Sequence, residues 1–241
     1  MKLVTIIQAR MGSTRLPGKV MLPLGDTIVL DYVVNRCHQI NGVNEVIVAT
    51  STERADDKIE QWCDEYHIPC SRGSQDDVLA RYYKCAREWD ADYIFRVTSD
   101  CPFVDYEMAS DIVNEMQRCS YDIIKVEGQL PRGLVAELFS FKTLEYMNKH
   151  GLEARHREHV TYYAYEYPDQ FNMGYFHANE KLQHPQLRVT LDTAEDYKLC
   201  KMIAQHYKSN LLVSSSEVIS YLLEHPEIAA INAHIEQKRV V

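Results

Sequence analysis

The sequence predicts an α/β fold built on a mostly parallel, doubly wound sheet. Its 241 residues suit a single domain that spans the whole chain, 1–241. The run 3–7 is aliphatic and β-branched, which is typical of a strand buried on both faces. Strand-like and helix-like segments then alternate through the first half with short connections, and this alternation predicts parallel strands joined by crossover helices.

The order of the elements follows from the spacing of the apolar residues. In the first half, strands are predicted at 3–7, 45–50, 68–70 and 92–97, and helices at 28–40, 55–66, from Asp76 or Asp77 to about 89, and at 107–118. In the second half, the pattern predicts a strand and turn at 134–141, a strand at 187–191, and helices at 141–150, 197–207 and 214–225. Thr193 is placed to cap the helix that follows the strand at 187–191.

The loop after the first strand is cationic and carries no acid. It contains Arg10, Arg15 and Lys19, together with Gly12 and Gly18, whose missing side chains let backbone N–H groups approach a ligand. Open α/β sheets bind phosphates at this position, beyond the carboxyl end of a strand. Because the chain as a whole has a formal net charge of -9, this local positive charge favours a small anionic ligand over nucleic acid.

Composition excludes several other classes. No stretch approaches the roughly 18 apolar residues of a membrane span, and the first apolar run is too short for a signal peptide. We therefore expect a cytoplasmic protein with no membrane partner. The 7 cysteines include no C-x-x-C pair, so we expect reduced, mostly buried thiols and no structural zinc site.

Two aspartates follow predicted strands that are far apart in the chain. Asp100 comes after the strand at 92–97, and Asp192 comes after the strand at 187–191. A carboxylate at such a strand end can be a Mg²⁺ ligand. From the residues alone, Asp100 is equally well explained as a turn cap ahead of Pro102. Asp196 is better explained as the capping-box partner of Thr193 than as a ligand.

The cationic loop also carries a family resemblance. Ala9-Arg10 followed by residues 13–19 resembles the first loop of the CMP-sugar synthetases, the cytidylyltransferases that activate acidic sugars, especially their 3-deoxy-manno-octulosonate branch. Residues 191–196 are similar to a Val-Asp-Thr-Pro-Glu-Asp segment of that family, with Ala194 in place of the proline. Most of the chain resembles members that serve spore-coat polysaccharide biosynthesis, most weakly near the carboxyl terminus.

The resemblance implies a nucleotidyltransferase fold and Mg²⁺-dependent transfer of CMP from CTP to an acidic, 2-keto-3-deoxy (nonulosonate-type) sugar, with release of pyrophosphate. It makes Asp100 and Asp192 the metal ligands, and it assigns residues 130–180 to a small excursion for dimerisation and acceptor binding, so we expect a homodimer. The expected catalytic residues are Arg10, Arg15, Lys19 and Asp100. The expected nucleotide contacts are Ala9, Arg10, Gly12, Ser13, Arg15, Lys19, Arg72 and Ser99. The expected acceptor contacts are Arg132, Glu137, Arg157, His159 and Arg188.

Some alternatives stay open at this point. His156, Arg157 and His159 also fit a hydrated interface helix, and Asp77 and Arg81 fit a pair on a helix surface. A nucleotidyltransferase of another base specificity, or a catalytically idle nucleotide-binding module of a glycan pathway, would show the same loop. A glycosyltransferase is disfavoured because Asp100-Cys101-Pro102 lacks the second acid of an Asp-x-Asp motif.

Overall fold

The computed structural model describes residues 1–236. Over these residues the strands are β1 (Leu3–Gln8), β2 (Pro23–Leu24), β3 (Thr27–Ile28), β4 (Glu45–Ser51), β5 (Cys70–Gly73), β6 (Tyr93–Thr98), β7 (Ile123–Glu127), β8 (Glu137–Ser140) and β9 (Met173–His177). Apart from the β2–β3 hairpin, the described strands form one sheet in the order β5-β4-β1-β6-β8-β7-β9. Only β8 in this sheet runs antiparallel to its neighbours, so the prediction of a mostly parallel sheet is confirmed.

Helices cover both faces of the sheet. Over residues 1–236 they are α1 (Val29–His38), α2 (Asp57–Glu65), α3 (Val78–Glu88), α4 (Tyr106–Cys119), α5 (Phe141–His150), α6 (Ala154–Glu158), α7 (Tyr162–Glu166), α8 (Ala194–His206), α9 (Ser215–Glu224) and α10 (Pro226–Ala229). The central strand β1 sends Leu3 and Ile7 into the core beneath α1, α4 and α8, and Val4 and Ile6 into the core beneath α3 and α5. This two-sided burial explains why its sequence is apolar without interruption.

The predicted helix starts are confirmed at two places. The Asp77 carboxylate caps α3 by accepting from the Ala80 N–H at 2.8 Å. Thr193 and Asp196 form a complete capping box at the start of α8. The predicted strand at 187–191 is wrong as a strand: it is an extended segment with a single bridge, between Arg188 and Arg132.

Residues 130–180 are built into the sheet and into one of its helical layers. They supply the strands β8 and β9 and the helices α5, α6 and α7, and α5 and α6 pack against α3. The sequence patterns did not predict β7 or β9. That residues 130–180 form a dimer interface stays a prediction.

The topology places a crevice at the carboxyl ends of β1 and β6. From β1 the chain moves outward to β4 and β5, and then returns to the other side of β1 to form β6. The loops that follow β1 and β6 therefore diverge, which is the arrangement at which open α/β sheets bind ligands. No helix within residues 1–236 has the length and apolar content needed to cross a bilayer.

Candidate active site

A cleft of about 1410 Å³ opens at the carboxyl ends of β1 and β6. Its lining comes from the loop after β1, the end of β6, the β7–β8 connection, the segment around α6 and α7, and the extended segment before α8. The lining includes these residues singled out by sequence: Ala9, Arg10, Gly12, Ser13, Arg15, Lys19, Ser99, Asp100, Arg132, Glu137, His159 and Asp192. The fold thus brings the cationic loop and both predicted metal ligands to one site.

Lys19 lies between the two aspartates. Its Nζ is 2.7 Å from Asp100 Oδ2 and 2.8 Å from Asp192 Oδ1. An Arg15 guanidinium nitrogen is 3.2 Å from Asp192 Oδ1, and an Arg188 nitrogen is 2.8 Å from Asp192 Oδ2. Burial alone would raise the pKa of Asp192, but Lys19, Arg15 and Arg188 outweigh it and hold that pKa below its usual value. Asp192 is therefore ionised at neutral pH.

Backbone contacts hold the extended segment before α8 against the end of β6. The Leu191 N–H donates to the Asp100 carbonyl at 2.7 Å, and the Thr190 hydroxyl donates to the same oxygen at 3.1 Å. On the other side, Gly133 has a φ of +105°, and a Cβ there would lie 2.6 Å from the Thr190 nitrogen. A glycine is required at this point because the two backbones touch. Asp192 consequently reaches Lys19 from a fixed direction.

A buried aspartate anchors the cationic loop. Asp56, only 1% exposed, accepts the Met11 N–H at 2.7 Å and the Ser51 N–H at 3.2 Å. Further along the loop, the Gly18 N–H donates to the Met11 carbonyl at 3.0 Å. The φ of +67° at Gly18 turns the chain into the short 3-10 helix that begins at Lys19. Sequence reasoning missed Asp56, since a carboxylate at the start of α2 looks like an ordinary first-turn acid.

The aspartate pair fits a divalent cation. Two carboxylate oxygens, from Asp100 and Asp192, approach one ammonium nitrogen within 2.8 Å, so they define a cation position between them. Mg²⁺ is usually bound through one or two carboxylates, waters and substrate phosphates. This donor set is hard and anionic, and it faces the open cleft.

A second group of side chains lines the half of the cleft near β7 and β8. Glu137 at the start of β8 pairs with Arg96 and accepts hydrogen bonds from the Thr161 hydroxyl at 2.8 Å and the Tyr165 hydroxyl at 2.7 Å. Burial alone would raise the pKa of Glu137, yet Arg96 and these hydroxyls hold that pKa below its usual value. Glu137 is thus an ionised, fully engaged carboxylate.

Lys125 and Arg132 in the same half have no carboxylate partner among residues 1–236. Burial and the nearby Arg188 lower the pKa of Arg132, but a guanidinium stays charged in proteins. Burial and the charge of Arg96 lower the pKa of His159, so its ring is mostly neutral at pH 7 and offers one N–H. This half of the cleft can therefore bind an anion.

Comparison with known proteins identifies the family of this chain. The sequence profile of the cytidylyltransferase family matches residues 4–225. The chain belongs to the cytidylyltransferase family. It is 36% identical over 231 residues to the spore coat polysaccharide biosynthesis protein SpsF of Bacillus subtilis, which covers 93% of this chain and 95% of that protein.

Two further relatives define the family context. A solved structure of a cytidylyltransferase from Leptospira borgpetersenii matches with a TM-score of 0.89 and 30% identity, covering 99% of this chain and all of that one. The 3-deoxy-manno-octulosonate cytidylyltransferase of Trichlorobacter lovleyi is 33% identical over 113 residues, which is 47% of this chain and 44% of that protein. This cytidylyltransferase is therefore a nucleotidyltransferase.

Arg72 and Arg157 lie outside the cleft, which corrects their expected positions. Arg72 is held at the sheet edge by Asp57 at 2.8 Å and Glu60 at 2.6 Å. Arg157 makes a two-pronged pair with Asp77, at 2.6 and 2.9 Å. Because neither guanidinium group lines the cleft, we assign neither of them to nucleotide or acceptor.

Arg188 also lies behind the lining of this cytidylyltransferase, and not among the acceptor contacts expected from the sequence. It joins Asp192 to the buried Asp196, whose Oδ1 is 2.9 Å from Arg188 Nε. Arg81, in contrast, lines the cleft and is buried. It donates to the Ser74 carbonyl and does not form the surface pair with Asp77 that the spacing allowed.

Proposed function

We propose that this cytidylyltransferase transfers CMP from CTP to an acidic sugar of the 2-keto-3-deoxy type, with Mg²⁺ as cofactor and pyrophosphate as the second product. The observation that carries the proposal is the meeting of Asp100, Asp192, Arg15 and Lys19 within one ion-paired cluster at the carboxyl ends of β1 and β6. Carboxylates that can bind a metal, beside cations that can bind phosphates, are what a nucleoside triphosphate and its metal require.

In the proposed reaction, a hydroxyl oxygen of the sugar forms a bond to the α-phosphorus of CTP, while its O–H bond breaks and the proton passes to solvent water. The bond from that phosphorus to the β-phosphate oxygen breaks, and pyrophosphate leaves with the electron pair. Arg10, Arg15 and Lys19 would neutralise the β- and γ-phosphates and so stabilise the leaving group. Ala9, Gly12, Ser13 and Ser99 line the same part of the cleft and would contact the nucleotide.

Asp100 and Asp192 would hold the Mg²⁺. When bound, Mg²⁺ supplies charge neutralisation at the phosphate oxygens. The protein contributes positioning for the rest of the reaction, because Asp192 is fixed by Arg188 and Asp196 and the loop is fixed by Asp56. Holding the sugar and nucleotide in line accounts for a large part of the rate in transfers of this kind.

The half of the cleft near β7 supports an anionic acceptor. Lys125 and Arg132 would bind the sugar carboxylate, and His159 would donate its ring N–H to the same group or to a hydroxyl. Glu137 would keep Arg96 neutralised rather than contact the sugar directly. The names of the octulosonate-specific relative and of SpsF support an acidic sugar destined for a surface or spore-coat polysaccharide.

The test is a pyrophosphate-release assay in which CTP, UTP, GTP and ATP are each combined with 3-deoxy-octulosonic and nonulosonic acids. We expect release only with CTP and an acidic sugar. Asp100→Asn is expected to lower kcat/KM by about 10²–10³-fold without unfolding the protein. Asp111→Asn, which alters an exposed carboxylate on α4, is the matched control and should leave kcat/KM unchanged.

Other outcomes would replace the proposal. Release with another nucleotide would assign a different base specificity on the same fold. No release with any pair, from protein that still binds CTP, would favour an idle nucleotide-binding module.

A further inference from the structure

All three cations of the loop after β1 are already paired with carboxylates. Arg10 is 3.1 Å from Glu158, Arg15 is 3.2 Å from Asp192, and Lys19 contacts both Asp100 and Asp192. The proposed triphosphate ligand would draw on these same cations. The proposed metal would draw on the same two aspartates, so the groups that bind the two ligands neutralise each other.

The charge around the aspartate pair is nearly balanced. Asp100 and Asp192 face Lys19 and Arg15, while Arg188 is shared between Asp192 and Asp196. A divalent cation added to this cluster would lie beside the Lys19 ammonium, and like charges at such a distance strongly repel. Lys19 also takes up the space, because its Nζ contacts one oxygen of each aspartate. The ammonium and a metal ion therefore exclude each other.

A triphosphate can remove this block. Lys19 carries a compact charge on a flexible four-carbon stem, and it lines the cleft that the phosphates would enter. Once the ammonium turns to a phosphate oxygen, both aspartate oxygens become free.

Resting on the function proposed above, we infer that Lys19 is a place-holding cation that keeps the Asp100–Asp192 site closed to divalent metal until a nucleoside triphosphate draws its ammonium away. Nucleotide and metal then bind cooperatively, each raising the affinity for the other by the same factor.

The decisive experiment measures Mn²⁺ binding to nucleotide-free protein, using the electron paramagnetic resonance signal of free Mn²⁺. We expect Lys19→Met to bind Mn²⁺ on the order of ten- to a hundredfold more tightly than the wild type. Lys19→Arg keeps a cation in place and should stay closed. Arg10→Met is the matched control: it removes a cation of the same loop that pairs with Glu158 and should bind Mn²⁺ as the wild type does.

A lysine that only binds phosphate would give a different result. In that case Lys19→Met and the wild type would bind Mn²⁺ with equal affinity in the absence of nucleotide, and the inference would be overturned. Adding Asp192→Asn to the Lys19→Met protein must abolish the gained binding. If the binding persists, Mn²⁺ lies elsewhere and the inference fails.

Lys19→Gln, which is also neutral, gives the same readout where Lys19→Met proves unstable. The measurement needs neither CTP nor sugar, so it is independent of the pyrophosphate-release assay. Failure of the proposed function would show as no release with any nucleotide, whereas failure of this inference shows only in the nucleotide-free Mn²⁺ titration.

Discussion

Glu137 shows how the partners around a carboxylate decide its role. By sequence it is an acceptor contact, but in the structure Arg96, Thr161 and Tyr165 surround it. Its oxygens are therefore engaged by the protein itself. Its value lies in neutralising Arg96 and in tying β8 to the segment around α7, which carries Thr161 and Tyr165 beside the cleft.

We expect Glu137→Gln to lower the free energy of unfolding by about 1–3 kcal/mol, because the half-buried Arg96 would lose its counter-ion. The folded-state pKa of Glu137 is lowered, so its contribution is complete above the unfolded-state pKa of about 4.3 and is lost as the pH falls through the folded-state pKa. The free energy of unfolding of Glu137→Gln should therefore fall less than that of the wild type as the pH drops through this range. Urea denaturation of both proteins at about one-unit pH intervals between pH 3 and 7 measures the loss of unfolding free energy and its dependence on pH.

Glu88→Gln is the control for that change. It breaks an exposed pair with Lys84 on the surface of α3, and such pairs contribute about 1 kcal/mol or less. Equal losses of stability in Glu137→Gln and Glu88→Gln would contradict a special role for the half-buried pair of Arg96 and Glu137.

At the residue scale, the sequence predicted the chemical capacity of each side chain well. It predicted the contacts of those side chains less well. Arg15 lies in the loop after β1, and Arg72 lies near the end of β5. In sequence, the two arginines therefore look equally suited to bind an anion. Arg72 is captured by Asp57 and Glu60 on α2, a partnership that depends on how that helix packs. Lys125 was overlooked because it belongs to β7, an element that the sequence patterns did not reveal.

The start of α8 is the element on which the aspartate pair depends most. The Thr193 hydroxyl accepts the Asp196 N–H at 3.2 Å, and the Asp196 carboxylate accepts the N–H groups of Thr193 and Asp192 at 3.1 and 2.9 Å. The helix cap and the orientation of Asp192 are thus one structure. A similar box, made by Ser214 and Glu217, begins α9 away from the cleft.

These two boxes allow a matched test. Thr193→Ala and Ser214→Ala should each lower the free energy of unfolding by about 1 kcal/mol, since each removes one capping hydroxyl. Only Thr193→Ala should also reduce kcat/KM, by about tenfold, because Asp192 would lose a fixed direction. Denaturation and the pyrophosphate-release assay measure the two quantities. Full activity in Thr193→Ala would show that the cap does not position Asp192.

The strands β1 and β4 were predictable because they are buried on both faces, and the helices α1 to α4 because each has a clear apolar stripe. The second half mixes short helices with strands at the far end of the sheet. There, β9 (Met173–His177) is partly exposed and gives no strong pattern. Residues 187–191 have the composition of a strand, but the Val189 N–H donates to the Arg132 carbonyl and the Leu191 N–H to the Asp100 carbonyl. The segment therefore pairs with loops, which local composition cannot reveal.

The charge of the whole molecule separates its outer surface from its cleft. The net charge is -9, while the cleft lining has more cations than anions: Arg10, Arg15, Lys19, Arg81, Arg96, Lys125 and Arg132 against Asp100, Glu137, Glu158 and Asp192. Such a field disfavours nucleic acid, whose phosphates would meet an acidic surface, and draws small anions to the cleft. This distribution agrees with the substrates proposed above.

At the same scale, we expect the molecule to be a homodimer formed through residues 130–180. The helical part of that segment exposes apolar side chains: Tyr146 on α5 is 39% exposed, Leu152 between α5 and α6 is 78% exposed, and Tyr167 just after α7 is 38% exposed. Sedimentation should give about twice the chain mass of 28.0 kDa. Leu152→Glu should weaken the dimer by about tenfold or more, because it places a charge in an apolar contact.

Leu223→Glu provides the comparison, since Leu223 is a similarly exposed apolar residue on α9. It should leave the mass unchanged. A wild-type protein that sediments at the mass of one chain would rule out the predicted dimer.

The position of Lys19 also affects how the protein is made. Two aspartates brought together at a sheet edge repel each other, and many sites of this kind complete their fold only when an ion arrives. Here the neutralising charge belongs to the polypeptide itself, 2.7 and 2.8 Å from the two carboxylates. We therefore expect the chain to reach its folded state without added magnesium.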